Sequence, residues 1–159
     1  MLTMSTPDPA ATSLSQKLPL KVHWGQCDAA SVVFYPQYFM WFDACTHALL
    51  DSVGLDHRHL RDHYGIVGAP LVDVRAQFLA PATYGQDLIA FSWIHELGRR
   101  RFSVRHRLSH GETTICEGHE MRVWAIVNPE NPLKLEAMPI PDDVRHLLSG
   151  GAVAGKPTG

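Results

Sequence analysis

WGQCDAASVVFYPQYFMWFDACTHALLDSVG, residues 24–54, is the stretch whose reading decides the fold. Pro36 suits the first position of a helix, where its missing N–H costs nothing. Gly54 is a natural C-terminal cap. Between them Tyr38, Phe42, Cys45 and Leu49 follow helical spacing, while Phe39, Met40, Trp41, Ala44, Ala48 and Leu50 fill the other sides. A helix that is apolar nearly all round is a buried one. Its only acids are Asp43 and the terminal Asp51, and one further acid, Asp28, arrives on the loop just before it.

Outward from this helix the pattern changes. LPLKVHW (18–24) reads as a short strand, and the polar, His-rich LDHRHLRDHYG (55–65) as a linker. Then Val72, Val74, Ala76 and Phe78 alternate with Asp73, Arg75 and Gln77, the period-two signature of a half-buried strand. APATYGQ (80–86) is a turn, DLIAFSWIHEL (87–97) a strand apolar on both faces, and GRRR (98–101) the next turn. FSVRHRLS (102–109) alternates again, with Phe102, Val104, His106 and Leu108 on one face. TTICEGHEMRVWAIV (113–127) is a long strand, and PDDVRHLLSG (141–150) closes with a short helix. The expected architecture is α+β: an antiparallel sheet of about five strands, four of them a meander, wrapped on one long central helix. One sheet on one helix leaves a face and an edge uncovered, so a dimer that extends the sheet is expected.

A chain of 159 residues with net charge −2 suits one domain and gives no sign of a nucleic-acid or membrane partner. No apolar run approaches the ~20 residues of a membrane span, and the N-terminus lacks the basic start and apolar core of a signal peptide. Residues 1–17 and 149–159, rich in small and polar residues, read as mobile tails around a domain of residues 18–148. Cys27, Cys45 and Cys116 fit neither a disulfide framework nor a zinc ribbon, which favours a cytoplasmic protein with reduced thiols. His57-x-His59 and His106-x3-His110 lack an acidic or cysteine companion at a metal-ligand spacing, so no metal site is expected.

Asp28 has two readings. It satisfies backbone N–H groups of its own loop, as Asp does in turns. Alternatively it serves chemistry. A helix N-terminus offers unpaired N–H groups and about half a positive charge, and with Pro36 at the start the Tyr35 N–H is among the nearest donors. Such a donor holds a carbonyl oxygen and stabilises the oxyanion formed on attack. Asp28 then attacks the same carbon or activates a water for it.

The stretch WGQCDAASVVFYPQYFMWFDA resembles the signature of hotdog-fold acyl-CoA thioesterases of the 4-hydroxybenzoyl-CoA thioesterase class. In that class an acid is followed by a small-residue turn, two aliphatics, an aromatic, Tyr-Pro-x-Tyr, then Trp-x-Asp-Ala. The resemblance continues through GIVGAPLVDVRAQFLAPATYGQDL (65–88) and RRRFSVRH (99–106), covering about residues 18–127. It implies a hotdog fold and a homodimer or homotetramer that hydrolyses an acyl-CoA thioester without a cofactor. It also implies Asp28 as nucleophile or general base and the Tyr35 N–H, with Pro36, as the carbonyl-binding helix start. Arg99, Arg100 and Arg101 match a turn used for the phosphates of coenzyme A. Asp43 matches an acid that recognises the acyl group in hydroxyaryl-specific members. It lies two helical turns, about 10 Å, beyond Pro36 on the same face, and the bland reading pairs it with His47.

Three departures stand out. The usual Asp-Pro-Ala-Gly turn is here Asp28-Ala29-Ala30-Ser31, which removes a glycine suited to positive φ. Gln26 stands where a further acid can occur, and Ala69 where the hydroxybenzoyl-specific enzyme has a hydrogen-bonding Thr. These departures argue against a firm 4-hydroxyl preference, while the bulk of Phe39, Met40 and Trp41 along the helix favours an aryl or short acyl group over a long chain. The alternatives are a thioesterase acting on carrier-protein-bound acyl groups and a catalytically silent acyl-CoA binding protein, which would not need Asp28. A hotdog dehydratase would want a catalytic His beside the central helix, and WGQCDAAS supplies none.

Overall fold

The computed structural model describes residues 13–153. Strand β1 (Ser15–Lys21) leads through a 3-10 turn at Trp24–Gln26 to helix α1 (Pro36–Asp51). There follow α2 (His57–Tyr64), β2 (Leu71–Phe78), β3 (Asp87–Leu97), β4 (Arg101–His110) and β5 (Thr113–Val123). The short β6 (Ala125–Val127) and β7 (Leu135–Ala137) precede α3 (Asp142–Leu148). Five strands make one antiparallel sheet in the order β1-β3-β4-β5-β2, β6 and β7 a separate ribbon, and α1 packs on one face of the sheet.

The period-two reading holds best in the middle of the sheet, where both neighbours are present. Phe102, Val104, His106 and Leu108 are all buried under α1. Fully burying a residue such as Phe42 or Phe102 stabilises by roughly 2–3 kcal/mol. Gly118 of β5 lies directly beneath Phe42, and a Cβ there would collide with that ring. The missing side chain lets the helix settle on the sheet, with the Phe42 ring stacked on His106 at 4.8 Å. Two apolar clusters flank this point. One, around Tyr38, Trp41 and Leu88, lies under the first half of α1. The other, around Leu49, Phe102 and Trp124, lies under its second half.

Several expectations are corrected. The four later strands are not a sequential meander, because β2 pairs with β5 rather than with β3. The β3–β4 and β4–β5 turns are too tight to cross anything, whereas residues 79–86 are long enough to carry the chain over the sheet end. The last strand is broken at Trp124, whose N–H turns away to the Arg100 carbonyl while its own carbonyl accepts from Met138. The supposed linker holds a helix, α2, capped by the Asp56 side chain on the His59 N–H and ended by Gly65 at φ 68°. Only Leu60 of α2 is buried, so its sequence lacks an apolar stripe. β1 begins at Ser15, inside the segment read as the N-terminal tail, and Leu14 donates to the Leu148 carbonyl. The outer parts of both tails, residues 1–12 and 154–159, lie outside the described residues.

The central helix is not buried all round within one chain. Met40, Asp43, Ala44 and His47 form an exposed stripe along it. β2 is an edge strand whose ends expose Leu71, Val72 and Phe78. Among the described residues no helix is long and apolar enough to cross a membrane.

Candidate active site

The loop before α1 is held by its own backbone. The Gln26 side chain accepts from the His23 N–H at 2.8 Å, so the residue standing where an acid can occur caps the 3-10 turn. Asp28 N–H donates to the Val32 carbonyl at 2.8 Å, and Ser31 N–H returns to the Asp28 carbonyl at 2.9 Å. Val33 N–H then pins the loop to the Ala82 carbonyl. The turn does require positive φ, and Ser31 adopts it at 63°. A non-glycine residue there costs roughly 1 kcal/mol, which the surrounding hydrogen bonds offset.

Asp28 is only half engaged by its own loop. Oδ1 accepts from the Ala30 N–H at 2.8 Å, the bland reading, while Oδ2 receives no hydrogen bond among the described residues and the residue is exposed. At the helix start, Pro36 has no N–H, Gln37 N–H is spent on the Phe34 carbonyl and Tyr38 N–H points to the Tyr35 carbonyl. The Tyr35 N–H donates to no acceptor among the described residues. It is thus an open donor at the positive end of a helix about 24 Å long. Tyr35, Tyr38, Val32, Phe78 and Leu79 line an open, mainly apolar groove of about 340 Å³ at this end. Burial pushes the Tyr38 phenol up to about 12, so it stays neutral.

Asp43 has a partner that helical spacing does not reveal. Its Oδ1 accepts from Arg122 Nη2 at 2.7 Å, and His47, the expected partner, stands farther off at 3.6 Å. Arg122 is the outer member of a polar chain between the two apolar clusters. Its Nε and Nη2 fork onto Glu120 at 3.1 and 2.8 Å, and its Nη1 donates to the Ala69 carbonyl at 3.1 Å. Glu120 in turn accepts from the Thr46 hydroxyl and lies 3.3 Å from His106 Nε2, whose Nδ1 is 2.7 Å from Ser92 Oγ. Burial opposes charge on Glu120, but hydrogen bonds from His106 and Arg122 and the guanidinium charge outweigh it and hold Glu120 at about 2. The same neighbours, Glu120 and then Asp43, raise Arg122 against the opposing effect of burial. The sequence carried one sign of this chain: His106 falls on an otherwise apolar strand face.

Arg99, Arg100 and Arg101 are exposed at the β3–β4 turn, and no acid among the described residues pairs with them. The backbone of this turn is busy: the carbonyls of Gly98, Arg99 and Arg100 accept from Arg145, Ile140 and Trp124. The turn lies where β3 ends, whereas Asp28 and Tyr35 lie where β3 begins, roughly 30 Å away along the strands. One chain therefore carries Asp28, Tyr35 and Pro36 on the single loop that leads into α1, sets Asp43 two turns down α1, and leaves the arginines at the opposite end. His106 is buried while His110 is exposed, so that pair does not converge, and among the described residues no cluster of three His, Cys, Asp or Glu side chains is built to hold a metal.

This five-stranded hotdog sheet on a central helix is a thioesterase architecture, and residues 22–148 match the Thioesterase-like superfamily, to which the chain belongs. It is 32% identical over 135 residues to the 4-hydroxybenzoyl-CoA thioesterase of Pseudomonas sp. (strain CBS-3), covering 81% of this chain and 94% of that protein. It is 25% identical over 140 residues to a 1,4-dihydroxy-2-naphthoyl-CoA hydrolase of Prochlorococcus marinus subsp. pastoris, covering 86% and 90%. Among solved structures, a 4-hydroxybenzoyl-CoA thioesterase mutant complexed with 4-hydroxybenzoyl-CoA superposes with TM-score 0.79 at 31% identity, covering 86% of this chain and all of that one.

Proposed function

We propose that the chain is an acyl-CoA thioesterase that hydrolyses an aryl or short-chain thioester to a carboxylate and free coenzyme A. The observation that carries the reading is a carboxylate oxygen of Asp28 on the loop before α1 and a helix-start N–H of Tyr35, both without partners among the described residues. The thioester carbonyl binds the Tyr35 N–H, which with the helix dipole stabilises the oxyanion. Asp28 is either the nucleophile, giving a mixed anhydride that water opens, or the base that takes a proton from the attacking water. The leaving thiolate departs as coenzyme A, and the step needs no metal or cofactor. The relatives named for aromatic acyl-CoA substrates support an aryl group. Asp43, farther along the same helix, is the acid that meets a polar substituent on it.

The arginine turn fits this scheme through a second copy of the chain. Two chains joined antiparallel across their β2 edges cover the exposed Leu71, Val72 and Phe78 and give the edge N–H and C=O groups partners. The two-fold axis of such a dimer reverses one sheet against the other. The second chain's Arg99–Arg101 then stands at the end occupied by Asp28, where phosphates of coenzyme A are held by bidentate guanidinium contacts. A cytoplasmic homodimer or homotetramer is the expected form. The test is a panel of aryl-, short- and long-chain thioesters on coenzyme A and on carrier protein, followed by thiol release. Fastest turnover of an aryl-CoA supports the reading; turnover of carrier-bound substrates alone, or of none, contradicts it.

A further inference from the structure

The polar chain beneath α1 has a direction. Its inner members, Thr46, Ser92, His106 and Glu120, are no more than 2% exposed. Arg122, at 3%, is immobilised on three sides, by both Glu120 oxygens and by the Ala69 carbonyl, before it reaches Asp43. The Asp43 side chain is 54% exposed. Arg122 and His47 both approach its Oδ1, and Oδ2 has no partner among the described residues. A buried ion pair is seldom better for stability than a well-packed apolar pair of the same volume, so stability alone does not account for the arrangement.

We propose that Arg122 is a positioning residue for acyl-group selection: it fixes the Asp43 carboxylate with Oδ1 held and Oδ2 turned outward, to accept a hydrogen bond from a hydroxyl on the acyl group. The proposal rests on the acyl-recognition reading of Asp43. Arg122 suits the task because its planar fork satisfies Glu120 with one edge and reaches Asp43 with a remaining Nη2 hydrogen, in one rigid plane. A lysine would keep the charge and lose the fork. Thr46 ties the next turn of α1 to the same Glu120, so helix and sheet are registered where Asp43 emerges. The Thr-to-Ala departure at residue 69 does not empty this part of the site, because the Ala69 contribution to the network is its backbone carbonyl.

The test is a double-mutant cycle on the full chain with 4-hydroxybenzoyl-CoA and benzoyl-CoA, read as the ratio of the two kcat/KM values. Arg122→Lys and Asp43→Asn should each lower the ratio about tenfold or more, the worth of one hydrogen bond to a charged group. The double variant should show the ratio of Asp43→Asn alone, because without the carboxylate Arg122 has nothing to position. Thermal melts run beside the assays: a merely structural Arg122 lowers the melt and slows both substrates equally, leaving the ratio unchanged. If Arg122→Lys does not fold, Glu120→Gln carries the same test by releasing Arg122 from its anchor. A ratio lost in Asp43→Asn but kept in the Arg122 or Glu120 variant overturns the positioning role alone. Additive losses in the double variant also overturn it. A ratio unchanged in Asp43→Asn removes the acyl-recognition reading, and the proposal with it.

Discussion

Glu120→Gln probes the buried chain on stability. In the folded state Glu120 is held at about 2, against an ordinary value of 4.5. That depression, at 1.36 kcal/mol for each tenfold change, corresponds to about 3 kcal/mol. Because the folded value is the lower one, this stabilisation is fully present above pH 4.5 and disappears as pH falls towards about 2. Glutamine keeps the shape and one acceptor but removes the charge, so Arg122 loses its fixed anchor on the sheet and, among the described residues, keeps Asp43 as its one remaining anionic partner. Breaking a buried pair in this way costs about 3–5 kcal/mol, and the surviving Asp43 contact places the expected loss near 3. Urea unfolding of both proteins at pH 7, 5, 4 and 3 measures it. The variant should be about 3 kcal/mol less stable at pH 7, and the gap should narrow steadily below pH 4.5. A gap under about 1 kcal/mol at pH 7, or one that stays constant down to pH 3, would refute the view that Glu120 is held ionised by Arg122 and His106.

Two further perturbations address the packing and the phosphate site. Gly118→Ala drives a methyl group into the Phe42 ring, so the melting temperature should drop by the equivalent of about 1–3 kcal/mol of overpacking; an unchanged melt would mean that the helix is not seated where it is described. Replacing Arg99, Arg100 and Arg101 together by alanine should raise KM for coenzyme A thioesters and leave kcat nearly unchanged, since phosphate binding is the same in ground and transition states. A truncated pantetheine thioester should not notice the change. Equal losses on both substrates would assign the turn to structure, where its backbone already serves.

What was legible in the sequence was what local patterning controls. Pro36 and the apolar run after it located α1, and alternation located the inner face of β4. The order of the strands was not legible, because nothing local to residues 79–86 says whether a turn closes a hairpin or crosses a sheet. α2 escaped because Leu60 is its single buried residue and only Tyr64 joins it against the core, too little to make an apolar stripe. Asp28, Tyr35 and Pro36 lie within eight positions of one another, so spacing could gather them. The Asp43–Arg122 contact spans 79 positions and depends on strand register, so only the nearer His47 was visible as a partner. Ser31 shows a third case: the positive φ that a glycine would advertise is present at 63°, adopted by a residue that conceals it.

The central claim is that Asp28 performs the chemistry at the open start of α1, and the most direct measurement is single-turnover hydrolysis of an aryl-CoA thioester by Asp28→Asn. Asparagine keeps the side chain's size and an oxygen for the Ala30 N–H, so the melting temperature should match the wild type's. Turnover should fall by at least ~100-fold, the scale of losing a general base or nucleophile. A folded Asp28→Asn protein working within about threefold of the wild type would contradict the account, leaving the helix start without its carboxylate partner.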